Sequence, residues 1–518
     1  MLIPSAPIGY KCLRFLVFRD SYSRHAVFIL LLTFICYMLY HASRKPISVA
    51  KSVLHTARFD NKKGEVTNVG WAPFNQPNWS HLVGGLEYTY LLVYALSMVL
   101  SGYIAERTNL RHFLTVGMLL SGLTNIAFGA AYYMDIHHYY YFMCVQLISG
   151  IVQATGWPAV VTLMGNWWGK KRRGFVMGLW NAHTSVGNIV GSLVAGYYVE
   201  SSWGMAFIMP GLLIMMGGVL VFFTLIERPE HVQLQKCDGK SPYMDSASNR
   251  VSSSRSISQS CVGKWDSTER LDRAALLPEQ PTGRAITFWE ALCLPNVLAY
   301  SVLLFFAKLV SYTFLYWLPN YLSVVDKGRL TAERAAQLSV VFDLGGILGG
   351  ILAGLLSDSK KHDSDAQILW RRAVTCSVML AIAVPMLLLY QLSASASGFI
   401  SLATLFFCGL VVNGPYALIT TAVSADLGTQ RALQGRARAL ATITSIIDGT
   451  GSFGAALGPF LTGLLVPFGW SSVFLMLITS DLCALSLSVW IAYRSRRQLR
   501  HSANHVIDTR RTGSSFRL

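Results

Sequence analysis

Charge is scarce in this sequence. Only 13% of its 518 residues are charged, against about a quarter in a typical soluble domain, while 53% are hydrophobic. The missing charge is what a lipid-facing surface requires. Acids are scarcer still, with 26 Asp and Glu against 43 Lys and Arg, a net charge of +17. The nine cysteines are scattered and mostly lie in apolar runs. They form no disulfide framework and no metal-ligand spacing, so no metal is expected. The chain also lacks a Ser-His-Asp set, paired carboxylates and a Walker loop. An enzyme and a nucleotide-driven pump are therefore disfavoured, and no cofactor is expected. No cleavable leader is evident before residue 25, so the first apolar run reads as a retained span.

What the chain does have is length of apolar run. A membrane-crossing helix needs about 20 apolar residues. Twelve stretches qualify: 25–50, 84–104, 112–132, 140–164, 174–197, 205–226, 297–322, 334–356, 371–391, 396–422, 437–464 and 470–493. We number them spans 1 to 12. The expected fold class is an all-α membrane protein of two six-helix bundles.

The basic residues fall in alternate loops. Lys11, Arg14, Arg19 and Arg24 precede span 1, and Arg107 and Arg111 join spans 2 and 3. Lys170, Lys171, Arg172 and Arg173 join spans 4 and 5, and Lys360, Lys361, Arg371 and Arg372 join spans 8 and 9. Arg431, Arg436 and Arg438 join spans 10 and 11, and Arg494, Arg496, Arg497 and Arg500 follow span 12. The positive-inside rule places all of these in the cytoplasm, with both termini. Charges split among so many loops do not make a nucleic-acid surface. Lys51, Arg58, Lys62 and Lys63 run against the rule in the loop after span 1. That loop also carries the sequon Asn78-Trp79-Ser80, so Asn78 is an expected glycosylation site on the far side of the membrane.

The domain layout follows. Residues 1–24 form a cytoplasmic N-terminus and 25–226 the first bundle. Residues 227–286 are polar, with ten serines between Ser241 and Ser267. They cannot bury enough apolar surface to fold alone and read as a disordered linker. A short interfacial helix is expected at 287–292, opening the second bundle, 287–493. Residues 494–518 form a tail with seven arginines and one acid, suited to an anionic leaflet or to solvent alike.

The halves echo each other. Gly102 to Glu106 closes span 2 as Gly354 to Asp358 closes span 8, and Gly156-Trp157-Pro158 in span 4 answers Gly414-Pro415 in span 10. Six spans repeated around a long central loop is a transporter layout. Titratable groups then stand out at bilayer depth: Arg44 and Lys45 in span 1, His183 in span 5 and Lys308 in span 7. Such groups usually face a cavity and mark a substrate or proton path. Cations with a histidine point to an anion. For each, a snorkelling or packed side chain is the competing reading.

Several motifs carry a resemblance. Arg44-Lys45 follows a tyrosine-rich span 1. Gly156-Trp157-Pro158 runs through to Trp167-Trp168. Trp180-Asn181-Ala182-His183 lies in span 5, and Trp317, Pro319 and Tyr321 alternate in span 7. In these the chain resembles the organophosphate:phosphate antiporters of the major facilitator superfamily over residues 20–495. It is most similar to the eukaryotic sugar-phosphate exchangers, through 41–46 and 307–312. The resemblance implies exchange of a sugar phosphate such as glucose 6-phosphate for inorganic phosphate, by two bundles rocking about a central site. It implies a phosphate site of Arg44 and His183, with Tyr37, Tyr40 and Tyr94 as lining candidates. A planar, permanently charged fork suits a phosphate dianion. Lys45 is equally a ligand or a topology charge. The bacterial relatives' second arginine falls at Ser311, so Lys308, one turn earlier, is the candidate replacement. Their span 2 lysine is Met98. Glu106, Arg107, Arg111 and, in the repeat, Asp358 resemble the superfamily's gating loops. The resemblance also implies the endoplasmic reticulum membrane, with plasma or another organelle membrane as alternative, and a monomer. The competing functions are a phosphosugar sensor of the same fold and a proton-coupled organic-anion carrier, since Asp343, Asp448 and Asp481 lie within spans.

Overall fold

A computed structural model describes residues 22–55, 58–60, 65–68, 70–105, 107–168, 173–232, 286–326, 330–358, 364–394, 398–428, 430 and 439–514, with Pro7 and Gly9. Glu106, most of the serine-rich linker and several of the basic loop residues lie outside the described residues. Among them the fold is helical apart from one ribbon, Arg58–Asp60 against Glu65–Asn68, between spans 1 and 2.

Among the described residues twelve helical rods follow in order. Span 1 is Tyr22–Arg44 and Pro46–His55; span 2 Trp79–Ala105; span 3 Leu110–Tyr133; span 4 Tyr139–Gln153 and Gly156–Trp167; span 5 Arg173–Asn181 and His183–Val199; span 6 Trp203–Thr224. Span 7 is Val297–Val325; span 8 Ala332–Ser357; span 9 Asp365–Ser393; span 10 Gly398–Leu418, a wide turn at Ile419–Val423, and Ser424–Gly428; span 11 Ala439–Leu465; span 12 Trp470–Ser514. Ten of these meet the length and apolarity needed to cross a membrane by themselves; spans 2 and 5 are the other two. The expected all-α class and the count of rods therefore hold.

Three expectations change in detail. Span 1 is broken at Lys45, because Pro46 has no N–H to continue the ladder. Lys51 is not a loop charge: it lies in the second segment of span 1 and is fully buried. Span 12 continues as one helix to Ser514, 45 residues and about 68 Å at 1.5 Å per residue, more than twice the hydrocarbon thickness. The short helix before span 7 is present as Phe288–Leu292. Its capping box is complete, with Thr287 N–H on Glu290 Oε2 at 3.0 Å and Glu290 N–H on Thr287 Oγ1 at 3.3 Å.

Packing repeats between the halves. Span 3 lies on span 6, and span 9 on span 12; across the halves, span 2 lies on span 11 and span 5 on span 8. Small residues allow these approaches, as expected where lipid removes the hydrophobic drive between helices. A Cβ at Gly129 would strike the Gly204 carbonyl and one at Gly349 the Leu410 carbonyl. Leucines such as Leu100, Leu123, Leu212 and Leu348 stay exposed on the outer surface, where lipid would meet them.

Candidate anion site between the halves

Spans 1, 4 and 5 are broken near their middles and span 10 turns wide at Ile419–Val423; Arg44 and Lys45 sit at the break in span 1 and His183 at the break in span 5, while Lys308 lies within the unbroken helix of span 7. Span 4 breaks after Gln153, where Pro158 removes the donor for the Ala154 carbonyl. The break leaves Gln153 facing span 1. Arg44 Nε donates to Gln153 Oε1 at 2.7 Å, Tyr90 OH donates to the same oxygen at 3.0 Å, and Gln153 Nε2 donates to Ser43 Oγ at 2.9 Å. Arg44 is 5% exposed, and its Nη2 has no protein partner among the described residues. Its guanidinium carbon lies 4.8 Å from the Tyr94 ring centre and 6.0 Å from that of Tyr37. An oriented, half-satisfied guanidinium has donors to spare for a planar or tetrahedral oxyanion.

His183 opens the second segment of span 5 and is fully buried. One ring nitrogen, Nδ1, lies 3.2 Å from Thr184 Oγ1; Nε2 has no partner among the described residues. Its ring packs against Tyr37 at 4.8 Å, Trp180 at 4.6 Å and His41 at 6.3 Å between centroids. Tyr37 thus links the histidine to the arginine, and its hydroxyl lies 3.4 Å from that of Tyr94. His41 Nδ1 is another buried nitrogen in the same cluster without a partner among the described residues. Tyr40 points elsewhere. Its hydroxyl meets Thr155 Oγ1 at 3.2 Å, and its ring fills the space where a Cβ on Gly156 would fall.

The second half contributes Lys308, 2% exposed, from span 7. Its Nζ is 2.7 Å from Asp448 Oδ1 and 3.3 Å from Ser452 Oγ, with the Tyr312 and Tyr416 rings 5.8 and 5.7 Å away. Ser311 Oγ donates to Asn413 Oδ1 at 2.6 Å. Lys45 is turned from Arg44 toward span 7, where Nζ donates to the Leu315 carbonyl at 2.9 Å. A cavity of about 390 Å³, counting its mouth, adjoins Arg44; it lies within the first half, among spans 1, 2, 3, 4 and 6, with Tyr316 of span 7 as its one wall from the second half.

Contacts between the halves close both ends of the central region. Toward the basic loops, Gly178 lies on Gly350 and Gly102 on Ser445. At the other end Lys51 Nζ sits 2.7 Å from Glu87 Oε1, donates to the Tyr316 carbonyl at 2.8 Å and lies 3.6 Å from the Trp317 ring centre. Span 5 is tied to span 8 by Asn188 Nδ2 donating to Asp343 Oδ1 at 2.9 Å.

Nothing in the pattern of residues marks Gln153, Glu87, Asn188 or Asp426 as partners. Arg372, expected as a loop charge, is 1% exposed; it donates from Nη1 to Ser357 Oγ at 2.7 Å and from Nε to Asp426 Oδ2 at 3.2 Å. Of the expected gating residues, Arg107 is exposed, donating to the Tyr103 carbonyl at 3.0 Å and stacking on that ring. The Arg111 backbone N–H reaches Glu227 Oε1 at 3.4 Å, and Asp358 caps span 8. Asn78 is exposed in the turn before span 2.

A closed pair of six-helix halves with a cationic, tyrosine-lined centre defines a membrane carrier of the alternating-access kind. Residues 33–443 match the Major Facilitator Superfamily. The chain is 47% identical over 485 residues to the glucose-6-phosphate exchanger SLC37A2 of Homo sapiens, covering 92% of this chain and 93% of that one. It is 44% identical over 527 residues to the glucose-6-phosphate exchanger SLC37A1 of Mus musculus, covering 94% and 96%. A bacterial homologue of the human lysosomal transporter Spinster, in an inward-facing, unoccupied crystal structure, shares the fold. Its TM-score is 0.54 at 15% identity, covering 91% of this chain and 96% of that one. The chain belongs to the Major Facilitator Superfamily and, within it, to the family of these exchangers.

Proposed function

We propose that the chain is a secondary antiporter that exchanges a phosphorylated sugar, glucose 6-phosphate foremost, for inorganic phosphate by alternating access. The carrying observation is Arg44. A permanent cation is held by Gln153, buried near the centre of the protein; among the described residues its Nη2 has no partner, and neither has Nε2 of His183. A buried charge held in this way is costly unless the site is meant to receive an opposite charge. The names of the relatives support the substrate class.

The phosphate group lies on Arg44, with His183 as a hydrogen-bond partner and Tyr37 and Tyr94 as walls. Lys308 approaches from the other half. The end with the basic loops faces the cytoplasm, Asn78 faces the lumen and carries a glycan, and the protein works as a monomer in the endoplasmic reticulum membrane. Arg107, Arg111 and Asp358, with Glu106, take part in closing the cytoplasmic end. Purified protein in liposomes loaded with inorganic phosphate tests the reading. Labelled phosphate should enter only against internal phosphate or sugar phosphate, and binding without flux would make the protein a sensor.

A further inference from the structure

Lys45 and Ser48 have a second explanation, which begins with a proline in another helix. Proline has no N–H, so within a helix it strips the carbonyl four residues earlier of its donor. Pro319 lies inside span 7, and the carbonyl it strips is that of Leu315. An unsatisfied buried carbonyl is destabilising. Here the donors arrive from the opposite half: Lys45 Nζ and Ser48 Oγ each reach Leu315 O at 2.9 Å. Lys45 is 2% exposed and Ser48 1% exposed, so water does not compete. Both stand at the start of the second segment of span 1, which Pro46 frees from the first. Two proline-bearing helices, span 1 broken at its proline and span 7 running through its own, therefore complete each other across the boundary between halves, at the end away from the basic loops.

We propose that Lys45 and Ser48 are positioning residues of the transport cycle: they close this end of the carrier by supplying, in trans, the hydrogen bonds that Pro319 removes from span 7. When the end opens, water takes over the Leu315 carbonyl and the lysine is released. When it closes, only these two side chains can replace that water. Lys45 thus acts on access to the site and not as an anion ligand. The inference rests on the alternating-access reading and not on which anion is carried.

The test reads access directly and needs no substrate. Ser48→Cys removes the hydroxyl and reports its own exposure to a membrane-impermeant maleimide, followed on the labelled peptide in the full-length protein in liposomes. With Lys45 present the end stays mostly closed and labelling is slow. Adding Lys45→Met leaves the carbonyl dry and unpartnered, and labelling should quicken about tenfold, the population shift for one lost buried hydrogen bond. Adding Pro319→Ala as well restores a backbone donor to Leu315, and labelling should fall back toward the Ser48→Cys rate. Lys45→Arg in place of Lys45→Met keeps a donor and should stay slow. A ligand role for Lys45 gives no reason for rescue by removal of a proline from another helix. Unchanged labelling in Ser48→Cys with Lys45→Met, or failure of Pro319→Ala to reverse the increase, overturns the proposal.

Discussion

Lys308 in span 7 and Asp448 in span 11 form a buried ion pair, Nζ to Oδ1 at 2.7 Å, with both side chains under 5% exposed. The second cation of the central region therefore carries its own counter-ion, whereas Arg44 is held by the neutral amide of Gln153. The two halves are not electrostatic equivalents. The half built of spans 1 to 6 offers an uncompensated charge, and the other half offers a charge that an incoming anion must share with a carboxylate.

That asymmetry sets the outcome of mutating Lys308. Lys308→Ala leaves Asp448 buried and alone, a loss of about 3–5 kcal/mol, so folded yield should fall together with exchange. Lys308→Ala with Asp448→Asn removes both charges, and gel filtration should show the folded yield recovered. If Lys308 helps to hold the anion, phosphate exchange by this double variant stays at about a tenth of wild type or less, the effect of one lost charged hydrogen bond. Adding Ser311→Arg to Lys308→Ala returns a cation three residues along the same face and should recover part of the exchange. Normal exchange in the doubly neutral variant would make Lys308 a structural lysine.

Gln153 is the orienting partner of Arg44, and its substitution should separate binding from folding. Gln153→Leu removes the acceptor for Arg44 Nε and should raise the KM for phosphate about tenfold, as hydrogen bonds to charged groups are worth roughly 1.5–3 kcal/mol. Gln153→Glu should keep the protein folded, since a carboxylate is a better partner for arginine. It should nevertheless abolish exchange, because the site's charge is then cancelled from within. Competition binding of phosphate, measured beside flux, reads both effects.

How much of this was visible in the sequence differs by residue. The rods were legible because each is a long apolar run, and Arg44, His183 and Lys308 were legible because a charge or an imidazole is conspicuous against such a run. Their partners were not. Gln153, Asn188 and Asn413 are ordinary polar residues whose meaning lies in which helix faces them, and only packing decides that. Lys51 and Arg372 look like loop charges, lying within a few residues of a span end. The structure buries both, because Glu87 and Asp426 stand opposite. The division of labour between Arg44 and Lys45 was half visible. Adjacent positions on a helix differ by about 100°, which separates the two side chains, but the destination of Lys45 depends on Pro319, more than 270 residues away.

Arg372 should matter to stability and little to selectivity. It ties the ends of spans 8 and 9 to Asp426 in the last turn of span 10, away from the central cations. Arg372→Met should lower Tm by several degrees, from a loss of about 2 kcal/mol, less than for a fully dry pair because Asp426 keeps some contact with water. The KM for phosphate per folded carrier should be unchanged. A large KM change with an unmoved Tm would put Arg372 in the transport path instead.

Asn78 tests the orientation. It is exposed in the turn before span 2, as a glycan acceptor must be. Protein from a eukaryotic membrane should run faster on a gel after glycosidase treatment, and the Asn78→Gln variant should run at that faster position with or without the enzyme. Cytoplasmic accessibility of a tag placed at this turn would reverse the assignment of both ends.

The central claim is that Arg44 receives the phosphate group, and liposome exchange measures it most directly. Wild type and Arg44→Ala, matched for folded protein, are compared for uptake of labelled phosphate against internal phosphate and against internal glucose 6-phosphate. Arg44→Lys is carried alongside. The account predicts exchange by wild type with both internal anions and loss of exchange to background in Arg44→Ala. It predicts only a small fraction recovered in Arg44→Lys, because a point charge does not replace a bidentate fork. Full exchange by Arg44→Ala would contradict it.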